Sequence, residues 1–494
     1  MNYSSTRDGS KSVPSSVCLL KGISSDGGLF VPQSFPTLSL AQIASLGDLS
    51  YSERAYEILS RFLTDFTDEE ILNCVNNAYN SGNFDDRSNA PVTRLCPNES
   101  VLELWHGPTL TFKDMALQLL PHLLVTAKNK QGISDDIMIL VATSGDTGKA
   151  ALEGFCDVDG VRIAVFFPND GVSMMQKLQM VTQRGDNVTV GAINGNFDDA
   201  QTAVKRIFGD KAFNDLLNGR GVRLSSANSI NWGRLVPQIV YYFSAYADLY
   251  KSGNIELGDE VNFVVPTGNF GNILAGYYAY KMGLPVKKFI CASNSNNVLT
   301  DFINTGCYNA KREFHKTISP SMDILISSNL ERLLYHLADG NSDYIADLME
   351  KLKLHGTYTV TDSVLNKLKE SFYGGFATEE QTKATIKSTF EKYGYIMDTH
   401  TAVAQSVLEQ YRAETGDDTT AIVVSTASPF KFPASVVSAI EGSELDELDA
   451  AVRLEELGID QPDSLKYLHM KPVLHELVCE KDELSGVIFA SLFG

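Results

Sequence analysis

Lys113 stands in the run Leu104-Trp105-His106-Gly107-Pro108-Thr109-Leu110-Thr111-Phe112-Lys113-Asp114-Met115-Ala116, after a glycine–proline turn and just before an amphipathic stretch. A lysine amine can form a Schiff base with an aldehyde cofactor, provided that it is held neutral. The apolar neighbours Leu110, Phe112, Met115 and Ala116 favour a partly desolvated setting, and burial lowers the pKa of a lysine. A solvated surface lysine has the same spacing, so the residue alone leaves both readings open.

Four clusters further along could share a site with it. Thr143-Ser144-Gly145-Asp146-Thr147-Gly148 follows the apolar run Ile137–Ala142 and precedes a helical pattern from Lys149. Its hydroxyls and N–H groups suit a carboxylate or a phosphate, and equally a plain strand–turn–helix with a capping hydroxyl. Pro266-Thr267-Gly268-Asn269-Phe270-Gly271-Asn272 follows Val264-Val265. Two glycines and two asparagines there let N–H groups converge on an anion, or make a tight turn. The pattern is not G-x-G-x-x-G, so a dinucleotide is not indicated. In Ser425-Thr426-Ala427-Ser428-Pro429 a hydroxyl could bond a heterocycle nitrogen or cap a helix. Asn228-Ser229-Ile230-Asn231-Trp232-Gly233-Arg234 offers amide, hydroxyl and guanidinium groups ahead of an expected helix from Leu235 to Tyr250. That set suits a phosphate, or a cap beside a surface arginine.

The elements that must position these residues alternate. Ile137–Ala142, Arg162–Phe167, Asn262–Val265, Lys288–Cys291 and Ala421–Val424 are continuous apolar runs separated by helical segments. That is the pattern of an α/β fold with parallel sheets covered on both faces. In open sheets of this kind ligands bind beyond the carboxyl ends of the strands, where three of the four clusters fall. The first 90 residues read as a mostly helical domain, with apolar spacing in 41–46 and 56–63 and acids opening a helix at Asp68-Glu69-Glu70. Ser81 to Asn89 reads as a linker. An α/β catalytic region is expected over 91–434, with a helical, more charged insertion near 300–415, and a packed C-terminal extension over 435–494.

Composition narrows the partners. The 494 residues carry a formal net charge of −20, which argues against nucleic acid as a partner. No apolar run approaches the roughly 18 residues of a membrane span, and Met1 to Lys21 lacks the apolar core of a secretory signal. The seven cysteines are scattered without a C-x-x-C pair, so a reduced, cytoplasmic setting without metal is expected.

In order along one chain, Asp26-Gly27-Gly28-Leu29-Phe30-Val31-Pro32, Phe112-Lys113-Asp114, Ser144 to Gly148, Asn228 to Arg234 and Gly268 to Asn272 resemble the threonine synthases. These are pyridoxal 5'-phosphate enzymes of the tryptophan-synthase-β-like fold (fold type II), and the likeness is to their longer-chain branch. The resemblance implies that Lys113 is the Schiff-base lysine and that Gly268, Asn269, Phe270, Gly271 and Asn272 hold the cofactor phosphate. It implies Thr426 at the pyridine nitrogen and Asp146 at the ring hydroxyl. Ser144 and Thr147 would take the carboxylate end of the substrate, and Asn228, Ser229 and Arg234 its phosphate. The implied reaction is β,γ-replacement on O-phospho-L-homoserine, giving L-threonine and phosphate, by a monomer or homodimer. One departure stands out. The family usually reads T-A-H-P-A-K-F where this chain has Thr426-Ala427-Ser428-Pro429-Phe430-Lys431-Phe432. The missing histidine keeps one alternative in view, a related phospholyase releasing 2-oxobutyrate, ammonia and phosphate; a further alternative, against which the intact Lys113 argues, is a non-catalytic protein that binds the cofactor.

Overall fold

The computed structural model describes residues 1–143, 145–169 and 172–493. Two sheets organise it. In the larger the strands run in the order Phe372–Phe376, Val286–Ser293, Val261–Pro266, Ala421–Ser425, Glu99–Glu103 and Val92–Cys96. All neighbours are parallel except the last pair, which is antiparallel. Val264 sits opposite Ile290 on one side and Val423 on the other. The smaller sheet is parallel throughout, in the order Leu477–Cys479, Val188–Ile193, Val161–Pro168, Asp136–Ala142 and Val222–Ser225. The five apolar runs named from the sequence all lie in these sheets, buried as two-sided parallel strands must be.

The first 90 residues hold the helices expected of them. Asp68–Tyr79 starts on a capping box in which Thr67 and Glu70 accept each other's backbone N–H. They also hold a feature the pattern did not suggest: an antiparallel three-stranded sheet of Asn2–Ser5, Asp8–Pro14 and Phe30–Pro32. The Asp8–Pro14 strand has no buried residue, so it lacks the alternation that marks a half-buried strand.

The helix Trp232–Lys251 is buried at every position from Trp232 to Ala247. It packs on the N-terminal helix Tyr51–Leu59 and on the helix Gly271–Lys281, which follows the strand Val261–Pro266 of the larger sheet. Arg54 pins its far end through paired bonds of 2.9 and 2.7 Å to Asp248. The tail folds back on the smaller sheet. Leu477–Cys479 adds its edge strand, and Leu484–Phe493 packs against the helix Phe197–Gly209. Among the described residues no helix is long and apolar enough to cross a membrane.

Candidate active site

Lys113 ends a loop that is sewn to the larger sheet. The Leu104 N–H donates to the Ser425 carbonyl at 3.0 Å, the Phe112 N–H to the Thr426 carbonyl at 2.9 Å, and the Ser428 N–H to the Leu110 carbonyl at 3.0 Å. Asp114, fully buried, accepts from the Thr109 N–H at 2.9 Å and its hydroxyl at 2.6 Å. Burial pushes the Asp114 carboxyl up to about 6, against those bonds. The Lys113 side chain is only 11% exposed, which rules out the solvated reading. Its Nζ donates to the Ser321 hydroxyl at 3.3 Å and lies 3.6 Å from Asp146 Oδ2. Burial lowers the pKa of this amine. Asp146 opposes that, while the like charges of Lys431 and Arg234 reinforce it.

Asp146 opens the helix Asp146–Phe155 at the carboxyl end of Asp136–Ala142. The turn before it is held by the Thr143 hydroxyl, which accepts from the N–H groups of Gly145 and Gly148 at 3.0 and 2.9 Å. Gly145 has φ of 140° and no room for a Cβ, which would meet the Gln176 amide at 2.4 Å. Asp146 accepts from Gln176 Nε2 at 3.1 Å and from the Ser321 hydroxyl at 3.2 Å, and it pairs with Lys431 Nζ at 3.0 Å. Burial alone would raise its pKa, but Lys431 and Lys113 outweigh burial and hold the carboxylate ionised far below the usual range. Thr147, in the same first turn, is half-buried, and Ser144 lies outside the described residues.

The Gly268–Asn272 segment joins Val261–Pro266 to Gly271–Lys281. Phe270, buried, takes the left-handed conformation that turns the chain into the helix. A Cβ on Gly268 would meet the Ser321 carbonyl oxygen at 2.8 Å, so this loop packs directly on the loop that reaches Lys113. Asn269 is exposed, and its carbonyl accepts from the N–H and side chain of Asn329, both at 3.0 Å. Asn272 accepts from Tyr241 and Tyr242 at 2.6 and 2.8 Å, which leaves its buried Nδ2 with no partner.

The Asn228–Arg234 cluster differs from expectation in one respect. The helix begins at Trp232, capped by Asn231, so Arg234 lies in its first turn and not ahead of it. Arg234 is 3% exposed and donates to the Ala227 carbonyl at 2.6 Å, and its Nε has no partner. Burial lowers its pKa to about 10, opposed by Asp114. Asn228 is exposed and Ser229 half-buried, and the Ser229 carbonyl accepts from Asn329 at 3.3 Å. Backbone contacts thus tie this cluster to the Gly268 loop through Asn329.

Three neighbours were not singled out from the sequence: Lys431, Ser321 and His400. Lys431 sits inside the Pro429–Lys431 turn and is 2% exposed, between Asp146 and Gln179. Its place in the quoted Phe430-Lys431-Phe432 motif was the available signal. Ser428, at the position of the missing histidine, caps that turn: its Oγ accepts from the Phe430 N–H at 3.3 Å. Ser321 and His400 come from the region between residues 300 and 415, where nothing local marks them.

The group that such a site would hold must accept hydrogen bonds. Beside the Lys113 amine stand two buried cations, Lys431 and Arg234, and two buried carboxyl groups, Asp146 and Asp114. Two buried donors, Arg234 Nε and Asn272 Nδ2, stand unpaired, which is costly unless a ligand accepts from them. An aldehyde carrying a phosphate satisfies a desolvated lysine and these donors together.

Comparison with known proteins agrees. Family models match for "Threonine synthase N terminus" over residues 2–79, "Pyridoxal-phosphate dependent enzyme" over 101–426 and "Threonine synthase, C-terminal" over 401–468. The chain is 42% identical over 476 residues to threonine synthase-like 1 of Homo sapiens, covering 94% of this chain and 62% of that protein. It thus spans about three-fifths of that relative. With the threonine synthase of Pseudomonas aeruginosa it shares 41% identity, covering 89% of this chain and 90% of the relative. The crystal structure of a pyridoxal-phosphate-bound threonine synthase from Brucella melitensis superposes with a TM-score of 0.89 at 37% identity, over the full length of both chains. The yeast threonine synthase gives 0.89 at 32% identity, covering 99% of this chain and 98% of that one. By its sheets, by the groups around Lys113 and by these likenesses, the chain belongs to the threonine synthase family of pyridoxal-phosphate-dependent enzymes.

Proposed function

We propose that the protein converts O-phospho-L-homoserine and water to L-threonine and phosphate. The observation that carries this reading is the pair of buried donors without partners, Arg234 Nε and Asn272 Nδ2, in the clusters around Lys113: two phosphates, one of cofactor and one of substrate, would accept from them. In this reading Lys113 bears the cofactor, Gly268 to Asn272 hold its phosphate, and Asp146 and Thr426 are assigned to its ring hydroxyl and ring nitrogen. Ser144 and Thr147 take the substrate's carboxylate, and Asn228, Ser229 and Arg234 its phosphate.

Bound pyridoxal phosphate supplies an electron-withdrawing ring that acidifies the carbon bearing the substrate's amine. The protein supplies the rest. Burial, Lys431 and Arg234 favour the neutral Lys113 amine, so Nζ can act as nucleophile and then take the proton from Cα, since it starts beside that carbon. Nζ must give that proton up before it can accept the next one, from Cβ. The guanidinium of Arg234 balances the charge gathering on the phosphate as the Cγ–O bond breaks. One proton then returns to Cγ, the hydroxyl of a water joins Cβ while the water's remaining proton goes to the released phosphate, and a second proton returns to Cα, which balances the two removed. Asp146, fixed as an anion by Lys431, serves as an acceptor and not as a proton donor.

A second reading, elimination to 2-oxobutyrate, ammonia and phosphate, is favoured by Ser428. Where the family has a histidine, this chain has a side chain spent on capping a turn. Product analysis after incubating the cofactor-loaded protein with O-phospho-L-homoserine tests both. Threonine supports the first, 2-oxobutyrate the second, and phosphate release with neither product or no turnover at all refutes both.

A further inference from the structure

Ser321 reaches the site from the Pro320–Met322 turn, in a part of the chain otherwise remote from it. Its Oγ lies between Lys113 Nζ at 3.3 Å and Asp146 Oδ2 at 3.2 Å. An ionised carboxylate can only accept, so the Ser321 O–H must point at Asp146. Its lone pair then faces Lys113, and the amine must donate. A neutral amine that donates to Ser321 keeps its own lone pair directed elsewhere.

The turn is held from several sides. The Thr399 hydroxyl donates to the Ile318 carbonyl at 2.8 Å, and Asn294 donates to the Ser319 hydroxyl at 3.0 Å. The Ser321 N–H itself donates to His400 Nε2 at 3.1 Å, and His400 Nδ1 lies 3.0 Å from Asp398 Oδ1. Both residues of this pair are buried, at 2% and 0% exposure. A backbone N–H only donates, so Nε2 is the acceptor and the ring proton sits on Nδ1, facing Asp398. The ring of His400 also packs 4.9 Å from that of Phe432, next to Lys431. One histidine thus touches the Ser321 turn and the turn that carries the partner of Asp146.

We propose that Ser321 is a positioning residue for Lys113, its hydroxyl oriented by Asp146 to accept from the amine and leave the amine's lone pair free for the cofactor aldehyde, with the Asp398–His400 pair holding Ser321 through its N–H. This rests on Lys113 being the cofactor-bearing lysine. The effect is on the orientation of an attacking atom, where a displacement of an ångström costs up to about 100-fold in rate.

The test follows covalent capture and not turnover. Full-length protein stripped of cofactor is mixed with excess pyridoxal phosphate and quenched with borohydride at intervals, and the label on the Lys113 peptide is counted by mass spectrometry. Ser321→Ala is expected to capture about tenfold or more slowly, and Ser321→Thr, which keeps a hydroxyl, to stay near wild type. His400→Gln retains an acceptor for the Ser321 N–H and is expected to hold the rate. His400→Leu, similar in volume but without the acceptor, is expected to lose it. Circular dichroism checks each fold. Capture by Ser321→Ala at the wild-type rate overturns the proposal, and so does a His400→Leu protein that matches His400→Gln. Wild-type protein labelled on some other lysine, or on none, takes down the assignment of Lys113 and this inference with it. Labelled wild type with unaffected variants takes down this inference alone.

Discussion

Replacing Lys431 with methionine removes one of the cations that keep Asp146 ionised, and leaves a hydrophobic side chain of similar length in its place. The lost pair is 3.0 Å long, with both partners buried at 2% and 3% side-chain exposure. At that distance the Coulomb term is about 5.5 kcal/mol for an effective dielectric constant of about 20. Desolvation of Lys431, no longer incurred, offsets part of it. Asp146 also keeps Gln176, Ser321 and Lys113, while Gln179 loses its 2.8 Å donor. The net loss should fall near 3 kcal/mol, at the lower end of the about 3–5 kcal/mol for breaking a buried pair. For a protein of this size that lowers the melting midpoint of the cofactor-free form by roughly 3 °C, measured by scanning fluorimetry. The double variant Asp146→Asn/Lys431→Met removes the stranded charge and should recover at least half of the loss. Loss of Lys431 also relieves a like charge beside Lys113, leaving burial as the main cause of its lowered pKa. The amine then keeps its proton to higher pH, and the midpoint of cofactor capture against pH moves up. A Lys431→Met protein that melts with wild type, or a double variant whose loss equals the sum of the single ones, would refute this account of Asp146.

Two other perturbations probe different parts of the site. His106 sits between Asp85 at 2.6 Å and Glu103 at 2.9 Å. Burial disfavours its charge, but the two carboxylates outweigh burial and raise its pKa to about 9. Its stabilisation is therefore complete below about pH 6.5 and lost as pH rises through about 9. The melting midpoint of wild type should exceed that of His106→Gln at about pH 6, by an amount worth about 2–3 kcal/mol, and the gap should close by about pH 10. A gap constant with pH would show that His106 acts by packing alone. On the proposed role of Arg234 at the substrate phosphate, Arg234→Met would lose a charged hydrogen bond and should raise KM for O-phospho-L-homoserine by about 10- to 150-fold with little change in cofactor affinity. Unchanged KM would remove Arg234 from the substrate's phosphate.

Much of the scaffold was legible because parallel strands covered on both faces must be apolar at every position. Ile137–Ala142 and Ala421–Val424 announce themselves in this way. Glu99–Glu103 does not, since a strand flanked by two glutamates does not read as core. Its charges are tolerated because Gln405 and Arg412 satisfy Glu99, while His106 and Tyr395 satisfy Glu103. Val188–Ile193 and Phe372–Phe376 are shortened or diluted by glycine and so fall below the pattern. The site divides in the same manner. Lys113 and Asp146 lie in compact motifs whose residue types carry chemistry. Ser321 and His400 have ordinary types and ordinary neighbours, and their meaning arises only where the 300–415 region folds back over the strand ends. The helix starts at Trp232, three residues ahead of the apolar run from Leu235, because the Asn231 side chain caps it there and brings Trp232-Gly233-Arg234 into the first turn.

The edge strand Leu477–Cys479 pairs with Val188–Ile193, and that pairing has a consequence for the chain as it is made. Synthesis is vectorial, so Val188–Ile193 emerges nearly 300 residues before its neighbour exists. At roughly 5–20 residues per second that interval lasts on the order of 15 to 60 seconds. Throughout it the growing sheet presents an open apolar edge, with Ile193 among the residues later buried under the tail. A stalled or truncated translation product would keep that edge open, a ready template for pairing with another chain.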